Sequence, residues 1–242
     1  IFNNKSVMKK ILTILFFISL TISATSKGND NFYNEANMFL HTHVKNGLVD
    51  YESISKEPSQ LNKLIGMIEN AQVEQSNSLD YQAFYINAYN LYVIKGIVDD
   101  KLSSPLDKKG FFDSIKHKVA GESLTLNDIE NKKLRAVFHD ARFHFVLVCG
   151  ALGCPPLINQ SYRPATLEKQ LEQQTINALN DDHFIQIKKN RVAVSQIFEW
   201  YQEDFTASGK SILEFISKYR KQALPENAKL SFYTYNWKVN KQ

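Results

Sequence analysis

The stretch from His144 to Leu157, HFVLVCGALGCPPL, sets two cysteines and a histidine close together. A thiol attacks as the thiolate, so it needs a base or a positive charge beside it. Cys154 follows Gly153, which tolerates unusual dihedrals and close backbone approach. Pro155 follows it, holding Cys154 out of the helical region on a stiff turn. His144 is a polar residue in an otherwise apolar run and is the expected base, with Arg142 two residues before it. A cysteine–histidine pair of this kind does acyl transfer: a thioester forms on an amide or ester, then passes to water or an amine. Such a pair needs a third group to hold the imidazole.

The same residues have plainer readings. If Arg142 to Gly150 is a strand, Arg142, His144, Val146 and Val148 share one face, and Phe143, Phe145, Leu147 and Cys149 the other. Cys149 is then a core thiol packed as a small hydrophobe. A Cys149–Cys154 disulfide is the second reading, and it would leave no nucleophile. Opposed side-chain directions at a strand end argue against it, because the α-carbons must come within about 7 Å. The C-x4-C spacing is not the C-x-x-C of thiol redox sites, which disfavours an oxidoreductase. His144 is alternatively a structural histidine bridging sheet to helix. His41 and His43 diverge on a helix, and His139 has no partner at metal-ligand spacing, so neither a metal nor a cofactor is expected. His117 and His183 fall in hairpin regions and are expected to be solvated.

Several elements must position these groups. Residues 31–47 carry Phe32, Ala36, Phe39 and Leu40 on roughly one helical face and stop at Gly47. LVDYESI reads as a short strand, and PSQLNKLIGMIEN as a helix with Leu61, Leu64, Ile65 and Ile68 on one stripe. Ser78–Asp100 is apolar around nearly its whole circumference, so it predicts a central buried helix with Ser78 as N-cap. Asn87 and Asn90 are then buried amides on one side of it, and each must find partners. A hairpin is expected around Gly121-Glu122, then a helix capped by Thr125. After the strand ending at Gly150 come a helix over residues 166–180, a hairpin near Lys189-Asn190, two short helices and a closing strand. The order predicts an α+β single domain, a mostly antiparallel sheet with a buried central helix and further helices packed around it.

The chain start has a different character. Met8-Lys9-Lys10 precede a twelve-residue apolar run, Ile11 to Ile22, and small residues follow. That is the pattern of a secretory signal peptide. Twelve helical residues reach only about 18 Å, against roughly 30 Å of hydrocarbon, so no stable membrane anchor is expected after cleavage. Residues 1–26 are expected to be upstream sequence and signal, and 27–242 a single globular domain, exported to the periplasm or the extracellular space. Residues 1–26 hold Lys5, Lys9 and Lys10 and no acid, so the charge of +4 falls to +1 without them. A balance so near neutral, with no basic cluster, excludes a nucleic-acid footprint. Two cysteines are too few for a disulfide framework.

Taken in order, VDY, AFYINAYNLYVI, LNDIENKKLR, DARFHFVLVCGALGCPPL, IFEWYQEDF and YNWKVN resemble the domain-of-unknown-function 547 family from about residue 47 to 240. The sequence differs from that family's pattern at Tyr85, Ala141, Gly153 and Asn236. The resemblance implies Glu130 as the third group, with Asn87 or Asn90 as amide orienter or oxyanion donor. The catalytic set expected is therefore Cys154 as nucleophile, His144 as base and Glu130 as orienter, with Asn87, Asn90 and Arg142 around them. Its substrate would be a peptide or cell-envelope component. The alternative is a non-catalytic binding or structural module, in which Glu130 simply favours a helix N-terminus and the cluster is a structural network.

Overall fold

A computed structural model describes residues 27–242; the signal-like segment 1–26 lies outside the described residues. Helix α1 (Lys27–His43) runs into a two-residue hairpin, β1 (Val44–Lys45) and β2 (Leu48–Val49). Its turn is Asn46-Gly47, both at positive φ, the pairing that suits a tight hairpin. LVDYESI is thus only half extended. Asp50 accepts from the Ser53 amide and starts a short helix, α2 (Tyr51–Lys56). In α3 (Ser59–Glu69) the expected stripe of Leu61, Leu64, Ile65 and Ile68 is buried.

Helix α4 (Ser78–Asp100) is the axis of the fold, buried without a break from Tyr81 to Ile94. A helix apolar all round has no face to give to water. Its N-cap is Asn77 rather than Ser78. No helix among the described residues is long and apolar enough to cross a membrane. The hairpin β3 (His117–Val119) and β4 (Glu122–Leu124) turns at Ala120-Gly121. Thr125 and Asp128 cap each other's amides at the start of α5 (Leu126–Asp128). That helix then widens into a π-helical segment, Ile129–Arg135, before a last turn, α6 (Ala136–Phe138).

The expected strand over residues 142–150 is absent. Ala141–Phe145 is a 3-10 turn started by Asp140, and the chain from Val146 to Gly150 is irregular. The facing argument built on strand alternation fails with it. Residues 151–154 instead lie against the chain's last residues: Leu152 donates to the Lys238 carbonyl (2.7 Å) and Gly153 to that of Asn236 (2.8 Å).

Beyond it come α7 (Leu167–Leu179), the hairpin β5 (Ile185–Lys188) and β6 (Arg191–Ser195), and the helices α8 (Ile197–Trp200), α9 (Gln202–Thr206) and α10 (Ile212–Tyr219). Strand β7 (Lys229–Tyr233) pairs with β6 in parallel. The fold is α+β; among the described residues there are three small sheets rather than one, and every strand pair except β6–β7 is antiparallel. Apolar side chains gather in two cores, one around α4 and one around β5–β6 and the last helices, and Cys154 packs against both.

Candidate functional site

A cavity of about 460 Å³ opens where the two cores meet. Its walls carry three of the groups singled out by sequence: Cys154, His144 and Glu130. Cys149 lines it too, and the cysteines are bonded to each other, with α-carbons 6.4 Å apart. Strand geometry was the argument against this bond. There is no strand, and Gly150 at φ 81° turns the chain between the two residues. A β-carbon at Gly150 would meet Ile97 Cδ1 of α4 at 2.4 Å, so only glycine fits that turn against the helix.

Cys149 is therefore not a core thiol, and Cys154 is not a free nucleophile: among the described residues no cysteine is free. The backbone N–H of Cys149 points at Cys154 Sγ (3.0 Å), and the Tyr235 hydroxyl lies 2.9 Å from Cys154 Sγ and 3.1 Å from Cys149 Sγ. Gly153 makes this approach possible. A β-carbon there would meet the Tyr235 ring and the Asn236 amide, all at 2.9 Å.

His144 is buried, 5% exposed, and its Nε2 bonds Asp204 Oδ2 at 2.6 Å. A carboxylate only accepts, so Nε2 carries the proton. The ring lies against Tyr201, with centroids 4.1 Å apart. Arg135 Nε bonds the same Asp204 oxygen at 2.6 Å. Burial alone would raise the Asp204 carboxyl, but the bonds from His144 and Arg135 outweigh it and hold it well below the ordinary carboxylate range. The orienter of His144 is thus Asp204, not Glu130. Sequence reading missed Asp204 although it lies in the IFEWYQEDF motif, because sixty residues separate it from His144.

Glu130 has a different position. It is 6% exposed, sits in the π segment and faces the cavity. Arg135 and the His144 ring are both bonded to Asp204, and Glu130 forms no ion pair among the described residues. Phenols surround it. Burial first, and then the Glu130 charge among other neighbours, pushes Tyr89, Tyr201 and Tyr235 above the ordinary tyrosine value. These hydroxyls remain protonated donors at any ordinary pH.

The asparagines stand apart from the cavity. Asn87 donates to the Ala83 and Tyr162 carbonyls (2.7 and 2.8 Å) and accepts from the Tyr162 amide (3.0 Å). Asn90 donates to the Val146 carbonyl (2.9 Å) and accepts from the Val148 amide (2.8 Å). Both side chains tie loops to α4, Asn87 through both of its N–H groups and Asn90 through one, and neither lines the cavity, so neither is placed there to orient His144 or to serve as an oxyanion donor. Arg142 also leaves the set, since it pairs with Asp140 (2.6 Å) and Glu168 (2.9 Å). His183 is exposed as expected, but His117 packs on Tyr92 at 4.4 Å between centroids. Burial lowers its pKa.

Aromatic rings form the mouth. Trp200 stacks on Trp237 at 5.9 Å, and Tyr235 packs against Trp200 at 5.1 Å and Trp237 at 4.7 Å. Trp200 is 46% exposed. Lys108 and Lys109 lie on the rim with Asp113; Lys108 also bonds Asp100 at 3.0 Å.

Residues 73–177 match the family described as "Protein of unknown function, DUF547", so the resemblance read from the motifs holds over that segment. The segment contains α4, Glu130, His144 and both cysteines, while Asp204, Tyr235 and Trp237 lie beyond it. No curated protein and no solved structure matches the chain.

Proposed function

We propose that the chain is an exported binding module whose crevice holds a small zwitterion of the short-peptide class. The ligand's amine sits on Glu130 and its carboxylate lies toward Lys109. One observation carries the reading: Glu130 is a buried carboxylate facing a cavity, with no counter-charge in ion-pair reach among the described residues. Removing a charge from water costs several kcal/mol unless it is paired. A cationic ligand supplies the missing partner, and the surrounding aromatic faces favour the same charge. A cavity of about 460 Å³ lies in the range of small-ligand sites. The signal-like pattern of residues 1–26 supports export, to periplasm or extracellular space, with 27–242 as one domain. The Cys149–Cys154 bond supports it too, since disulfides persist in oxidising compartments.

Trp200 and Trp237 are the only tryptophans of the chain and both line the crevice, so their fluorescence reports occupancy. Titration with alanyl-alanine should give a saturable change, and N-acetylation of the peptide should weaken binding at least about tenfold. No saturable change, or equal affinity for the acetylated form, contradicts the reading.

A further inference from the structure

The disulfide lies in the wall of the cavity. It closes a separation of only five residues, so it constrains little chain. Both cysteines line the cavity and both are partly exposed. Their surroundings are also asymmetric. Cys154 Sγ faces the Cys149 amide at 3.0 Å and the Tyr235 hydroxyl at 2.9 Å, two donors, while Cys149 Sγ faces only the hydroxyl, at 3.1 Å. Donors of this kind stabilise a thiolate more than a neutral sulfur, and a better-stabilised thiolate leaves faster in exchange.

We propose that the crevice carries out thiol–disulfide exchange with a small-molecule thiol, which attacks Cys149 and expels Cys154. The incoming thiol leaves its proton to water and arrives as the thiolate. Its sulfur bonds Cys149 Sγ as the Cys149–Cys154 bond breaks, and the electron pair goes to Cys154 Sγ, held by the Cys149 N–H and the Tyr235 O–H. A second thiol, from the same dithiol or another molecule, gives its proton to the Cys154 thiolate and attacks the small-molecule sulfur of the mixed disulfide. Cys149 leaves as a thiolate and takes a proton from water. Two small-molecule thiols have become one disulfide, and the protein disulfide has become two thiols. Tyr235 is the positioning residue, and Gly153 makes room for it. The activity does not depend on the peptide reading of the same crevice, since Glu130 forms no bond in it.

The test starts with the wild-type chain. Native protein is incubated with reduced glutathione, trapped with iodoacetamide and mapped by mass spectrometry. Glutathione should be found on Cys149 and the alkyl group on Cys154; the reverse pattern overturns the assignment. With dithiothreitol, reduction should be first order in reagent and insensitive to low denaturant. A rate that saturates with reagent and climbs with denaturant means reduction through unfolding, and overturns the proposal. Tyr235→Phe should slow the native reaction roughly tenfold, the loss of one hydrogen bond to a charged sulfur. An unchanged rate removes Tyr235 and its asymmetry from the mechanism. The glutathione map needs no variant, so a misfolded Tyr235→Phe chain leaves the proposal testable.

Discussion

His144 and Arg135 meet on a single oxygen of Asp204, and that arrangement fixes the imidazole in one orientation. The consequence can be read in acid. The Asp204 carboxyl is depressed below its ordinary 3.8, so its contribution to stability is complete above about pH 5 and is lost as pH falls through the depressed value. Asp204→Asn should cost about 1–2 kcal/mol at neutral pH, a figure discounted because the carboxylate is partly open to solvent. The variant's stability should also change less than the wild type's between pH 4 and 2. Urea unfolding across that range checks both; parallel acid limbs would mean that the pair contributes nothing. Reading Cys154 and His144 as partners was reasonable on residue type alone. It failed because each had a nearer partner, Cys149 for the sulfur and Asp204 for the ring, and neither bond has a local spacing signal.

At the scale of elements, the chain showed its regular parts and concealed its irregular ones. The α3 stripe and the all-round apolar α4 are periodic over many residues, so their structure could be read directly. The run from Phe143 to Val148 is apolar apart from His144 and has no period. Such a run marks burial but does not distinguish a strand from an irregular segment. Asn90 explains how the segment stays buried without a sheet: its amide satisfies the Val146 carbonyl and the Val148 N–H as a neighbouring strand would. Asn90→Ala leaves both groups unpaired in the core and should cost about 3 kcal/mol, measured as a shift in the urea midpoint at constant slope. A loss below about 0.5 kcal/mol would mean that water or a local shift replaces the amide. The π segment was not legible either. Nothing in IENKKLR announces a widened turn, although such turns are frequent at functional sites and this one carries Glu130.

For the molecule as a whole, the site belongs to neither core alone. Glu130 and His144 come from the middle of the chain, Trp200 and Tyr201 from α8 and the residue after it, and Tyr235 and Trp237 from the closing segment, with Asp204 of α9 bonded to His144. The cysteines, His144 and the asparagines were visible as unusual residues, and Glu130 only through the family resemblance. Which of them share one cavity depended on how residues 235–240 fold back over residues 149–154, and that is tertiary information. The account turns on Glu130 as the charge that a ligand answers. Calorimetric titration of alanyl-alanine into wild type and Glu130→Gln tests this most directly. The carboxamide keeps the shape and removes the charge, so affinity should fall at least about tenfold while the fold is retained. Equal affinity in the two proteins would contradict the account.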